Sequence, residues 1–157
     1  MTRHREWLPN EFCSIAGALE IVGERWTIMV LRESFLGTRR FDDFQRNIGC
    51  ARNILSARLN TLVDEGLLRR QPYREPGQRA RVEYRLTEKG VELFPVVVAL
   101  MQWGDRWAGG PDGPPVEIRH RDCGEPVKVS MTCAAGHGPL TARDTEASPG
   151  AGARLIA

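Results

Sequence analysis

Apolar residues recur along positions 12–108 at three- and four-residue spacing in most segments. Between Phe12 and Glu24, Ile15, Ala18, Leu19 and Val22 predict an amphipathic helix that Gly23 ends. A second helix is expected from near Arg25, running through Trp26, Ile28, Met29, Leu31 and Phe35 until Gly37 stops it. It is apolar on most sides, which suits the buried centre of a domain. A short helix from Phe41 to Ile48 turns Phe41, Phe44 and Ile48 inward, and Gly49 supplies a turn between helices that meet steeply. In the next helix, about Ala51 to Glu65, steps of about 100° per residue put Ala51, Leu55, Leu59 and Leu62 on one side. Arg52, Asn53, Ser56 and Asn60 gather on another.

Gly66 closes that helix as a left-handed cap, and the pattern then changes. Residues 67–71 and 81–86 resemble two strands, joined by 72–80 with Pro76-Gly77 at the tip of a hairpin. Thr87 is placed to cap a last helix reaching about Trp107, with a kink or break expected at Pro95. Two short helices around a glycine turn, followed by a hairpin, spell a winged helix-turn-helix. The fold class expected is mainly α with a small β-wing, plus a small β-rich C-terminal extension.

Charge sharpens this picture. From Thr38 to Arg81 there are ten Arg, no Lys and five acids, a balance of +5 within a chain whose net charge is +2. A basic centre between mildly acidic flanks suits a polyanion, and double-stranded DNA is the expected partner. After Ala108 the run Gly-Gly-Pro-Asp-Gly-Pro-Pro reads as a linker. The expected organisation is a DNA-binding domain at 10–108, to which the resemblance described below adds dimerisation, a linker at 109–115, a Cys/His-containing extension at 116–147 and a mobile tail at 148–157. The first twelve residues lack the apolar run of a secretory signal, and no stretch approaches the ~20 apolar residues that span a bilayer, so the expectation is cytoplasmic, with no membrane partner.

The candidate DNA-binding residues follow from side-chain chemistry. Arg forks onto guanine and Asn onto adenine, so Arg52, Asn53 and Ser56 are the expected contacts at or near base edges. Arg58 lies nearer the packed side and is either a phosphate clamp or part of the scaffold. Arg39 and Arg40, at the start of the preceding helix, suit phosphate contacts. Arg74, Gln78, Arg79 and Arg81 stand near the hairpin tip, where they can reach the backbone or a narrow minor groove.

The cysteines at 13, 50, 123 and 133 form no dense disulfide framework. Cys13 and Cys50 are redox candidates, Cys13 near the first helix and Cys50 between Arg46 and Arg52. His120, Cys123, Cys133 and His137 spell H-x2-C-x9-C-x3-H, with glycines at 124 and 136. Four such ligands can close a structural zinc site; a Cys123–Cys133 disulfide and plain packing thiols are the alternatives. No other cofactor is expected.

Gly23-Glu24-Arg25-Trp26-Thr27, Gly37 with Arg39-Arg40-Phe41, Ala51 to Ser56 with Arg58-Leu59, Glu65-Gly66-Leu67, Glu83 to Gly90 and Trp103-Gly104 together resemble the HxlR family of bacterial winged-helix transcription regulators. The resemblance covers about residues 10–108. It implies a homodimer, built through the N- and C-terminal helices, that binds an inverted-repeat operator and acts on neighbouring genes, as a repressor or otherwise, under a redox or small-molecule signal. The tail is similar to a cysteine-containing extension of one branch, whose second half usually reads C-x-x-C-G. This chain departs from it with Cys133-Ala134-Ala135-Gly136-His137. An enzyme is not expected, since no nucleophile with a positioned base stands near Cys13 or Cys50. The rival reading is a winged helix kept as a protein-interaction module without DNA binding.

Overall fold

The structure, a computed structural model, describes residues 13–74, 77 and 79–153. Its elements run α1 (Ser14–Val22), α2 (Arg25–Phe35), α3 (Phe41–Ile48), α4 (Arg52–Asp64), β1 (Leu68–Tyr73), β2 (Arg81–Leu86), α5 (Glu88–Val91) and α6 (Phe94–Trp107). The fold is thus mainly helical with a two-stranded antiparallel wing. Ser14–Val97 forms one compact unit and the chain from Val98 onward belongs to a second.

In the first unit α2 is the central helix. The Glu24 carboxylate caps it by accepting from the Trp26 and Thr27 amides at 2.8 and 3.2 Å, satisfying two of the donors a helix start leaves open. Val30 and Leu31 of α2, Phe44 of α3 and Leu55, Leu59 and Leu62 of α4 are completely buried. Each side chain of this size contributes about 1.5–3 kcal/mol by leaving water. The turn between α3 and α4 hangs on Gly49, whose φ of +74° disfavours any residue with a side chain.

A polar cluster locks the end of α2 to α3. Glu33, only 5 % exposed, accepts from Arg32 at 2.7 Å, Thr38 Oγ1 at 2.9 Å and Asn47 Nδ2 at 2.8 Å. Burial pushes its carboxyl up, but the hydrogen bonds from Asn47, Arg32 and Thr38, with the Arg32 charge, outweigh burial and hold it below the usual range.

The wing strands pair from Leu68 against Leu86 to Tyr73 against Arg81, so β1 runs two residues beyond the expected strand and includes Pro72. An isolated bridge between Arg40 and Glu83, with Tyr84 N donating to Arg39 O at 2.8 Å, adds a third short edge. The last helix is broken as Pro95 demanded. Thr87 caps α5 through a 3.1 Å bond from Gly90 N, the helix lapses at Glu92 and Leu93, and α6 restarts with Pro95 in its first turn, where the missing N–H costs nothing. Ala51, expected on the packed face of the next helix, is instead the exposed N-cap residue of α4.

In the second unit, the extension carries its β character as single bridges, Arg119 with Pro126 and Met131 with Leu140, each closing a small hairpin. Gln102 of α6 fixes the segment between them, donating to Val127 O at 2.7 Å and accepting from Val129 N at 3.1 Å.

Candidate nucleic-acid interface

The predicted reading face of α4 is open. Arg52, Asn53, Ser56 and Asn60 are exposed while Leu55, Leu59 and Leu62 face the core. Arg58 is half-buried, in keeping with its position nearer the packed side.

Three of the sequence-predicted arginines are brought together. Arg40, Arg52 and Arg81, with Asp42, Asp43, Phe41, Tyr73 and Val82, line one recess of 470 Å³ between the starts of α3 and α4 and the wing, three cations against two carboxylates. Aromatic rings position two of these guanidiniums: Arg40 stacks 4.7 Å from the Tyr73 ring and Arg52 4.7 Å from Phe41. Arg52 also donates to Gln45 Oε1 at 2.7 Å and lies 3.3 Å from Asp42 Oδ1. Both partners of that ion pair are well exposed, so it is worth about 0–1 kcal/mol and yields to a phosphate or base edge. Arg46 is paired in the same way with Asp43.

Arg39 is exposed just before α3 and offers its carbonyl to the wing, which fixes the backbone from which its side chain projects. Arg74 and Arg79 are exposed on the wing beyond the strands. The Gln78 expectation lies outside the described residues. Sequence reasoning missed Arg70. It sits on β1, exposed, and its Nη2 donates to Asn60 Oδ1 of α4 at 2.7 Å, tying the wing to the reading helix.

The redox candidates differ in access. Cys50 is 7 % exposed, packed at the foot of α4, whereas Cys13 is half-buried. In the extension Cys123 and Cys133 are exposed free thiols.

The HxlR-like helix-turn-helix family model fits residues 21–111. The chain belongs to the HxlR family. An uncharacterized HTH-type transcriptional regulator of Mycobacterium tuberculosis is 48 % identical over 88 % of this chain and 87 % of its own. Among solved structures, PA1607, a candidate transcription factor, superposes with a TM-score of 0.76 at 40 % identity, covering 87 % of this chain and 94 % of that one. The oxidized form of the redox regulator HypR gives a TM-score of 0.53 at 29 % identity, over 59 % of this chain and 94 % of that one. These relatives place the chain among HxlR-type transcription regulators. Among the described residues no helix is long and apolar enough to cross a membrane.

Proposed function

We propose that this HxlR protein is a cytoplasmic, sequence-specific DNA-binding regulator that acts as a homodimer on an inverted-repeat operator. The observation that carries the reading is the recess that Arg40, Arg52 and Arg81 share between the reading helix and the wing, where three arginines outnumber the two aspartates Asp42 and Asp43. α4 enters the major groove with Arg52, Asn53 and Ser56 toward the base edges, with Arg58 beside them. Arg39 and Arg40 meet the phosphates at the helix pair, and Arg74, Gln78, Arg79 and Arg81 meet them along the wing.

Exposed apolar stripes support the second copy. Ile15 and Leu19 on α1 are 70 % and 56 % exposed; Leu100 and Trp103 on α6 are 51 % and 61 % exposed. Contiguous exposed apolar surface marks a site of interaction with a partner. Two-fold symmetry then sets the half-sites about one helical turn of DNA apart, or a small multiple of it. A redox signal, if this regulator uses one as HypR does, enters at Cys13, because Cys50 is packed away.

The test is selection of duplexes from a random library by the full-length protein, followed by sequencing. Recovery of a palindromic motif supports the reading. Failure to retard any duplex at low salt supports the rival, a winged helix used only for protein contacts.

A further inference from the structure

The extension holds a feature that DNA binding does not use: two hairpin tips, each presenting one histidine nitrogen and one cysteine sulfur side by side. In the first, His120 Nδ1 lies 3.2 Å from Cys123 Sγ; in the second, His137 Nδ1 lies 3.5 Å from Cys133 Sγ. A tetrahedral zinc ion with Zn–S of about 2.3 Å and Zn–N of about 2.0–2.1 Å sets neighbouring N and S ligands about 3.6 Å apart. Both pairs therefore stand near the edge length of one zinc tetrahedron.

The backbone of each tip is built for this presentation. In the first, Gly124 N donates to His120 O and His120 N to Glu125 O, both at 2.9 Å, with Gly124 at a φ of +75°. In the second, Gly136 N donates to Cys133 O at 2.8 Å and Cys133 N to His137 O at 3.0 Å, with Gly136 at a φ of +82°. The Asp122 carboxylate lies 3.8 Å from His120 Nε2, on the ring edge away from the sulfur and beyond hydrogen-bond reach. Among the described residues no three His, Cys, Asp or Glu side chains gather round one point, so each tip offers half of a four-ligand shell.

We propose that His120, Cys123, Cys133 and His137 bind one zinc ion per chain, and that the metal draws the two tips together. Gln102 holds Val127 and Val129, so closure bends the hairpin arms about a segment fixed to α6. The thiols lose their protons on binding, and the remaining coordination positions are filled by the opposite pair. The site is independent of the DNA-binding reading: it requires only the extension.

The experiment is zinc analysis of the full-length protein titrated with zinc against a chromophoric chelator, in reducing buffer. One zinc per chain is expected, lost in Cys133→Ser and in His137→Ala while helical circular dichroism persists. As a check that does not depend on the variants, zinc should slow alkylation of Cys123 and Cys133 together in the wild-type chain, and cobalt in its place should give the visible spectrum of a tetrahedral S2N2 site. No stoichiometric zinc, two ions per chain, or protection of one cysteine without the other would overturn the proposal.

Discussion

Arg70 on the first wing strand donates to the Asn60 side chain on the reading helix at 2.7 Å. Both residues are exposed, so the bond adds little to folding stability; its consequence is positional. This bond and the Arg40–Glu83 bridge join the wing to the helix pair at separate points.

Arg70→Ala is therefore expected to weaken DNA binding with hardly any change in melting temperature. A double-mutant cycle with Asn60→Ala, read by fluorescence anisotropy on the selected duplex, should give a coupling of about 0.5–1.5 kcal/mol. Strict additivity would show that the bond does not organise the interface.

Arg52 stands over Phe41 with exposed, exchangeable partners, which leaves its guanidinium available to a base edge. Arg52→Ala should cost about 1–3 kcal/mol on the selected operator and relax the preference at one base pair of each half-site. A uniform loss over all sequences would reassign it to the phosphates.

Glu33 carries a pH signature. Its carboxyl is held below the usual range, so its charged form favours the folded state. The sign follows from linkage: the contribution is present above the unfolded value of about 4.3 and is lost as pH falls through the lower folded value. Chemical denaturation across pH should show wild type more stable than Glu33→Gln near neutrality, with the two curves converging in acid. A gap that persists unchanged as the pH falls far below the usual carboxylate range would contradict the assignment.

The α6 stripe predicts the outcome of Leu100→Glu with Trp103→Glu. Sedimentation equilibrium should show a dimer for wild type and a monomer for the variant, with folded circular dichroism retained, since both side chains are already in water in the single chain. An intact dimer would place the subunit contact elsewhere.

Much of this was legible because it is periodic. The three- and four-residue spacing of Leu55, Leu59 and Leu62 fixes which side of α4 is left for Arg52, Asn53 and Ser56, and Pro95 breaks the last helix for a local reason. Non-periodic contacts were not legible. The Arg40–Glu83 bridge is a single residue long and joins positions far apart in sequence, and the Arg70–Asn60 bond depends on how β1 lies against α4. Ala51 was misplaced because a helical wheel assumes its residue is inside the helix, and here it is the cap. Cys50 looked like a thiol beside the reading face; tertiary packing buried it. The pairing of His120 with Cys123 and of Cys133 with His137 was visible as spacing, whereas the separation of the two tips was not.

The central claim is that the arginines of the helix pair and the wing grip the phosphate backbone together. It is tested most directly by the dependence of log K on log salt for the selected duplex, measured for wild type and for Arg79→Ala and Arg81→Ala. Wild type should show a steep linear loss of affinity, and each substitution should reduce the slope by about 1 per contact removed. A shallow wild-type slope, or slopes unchanged by both substitutions, would contradict the account.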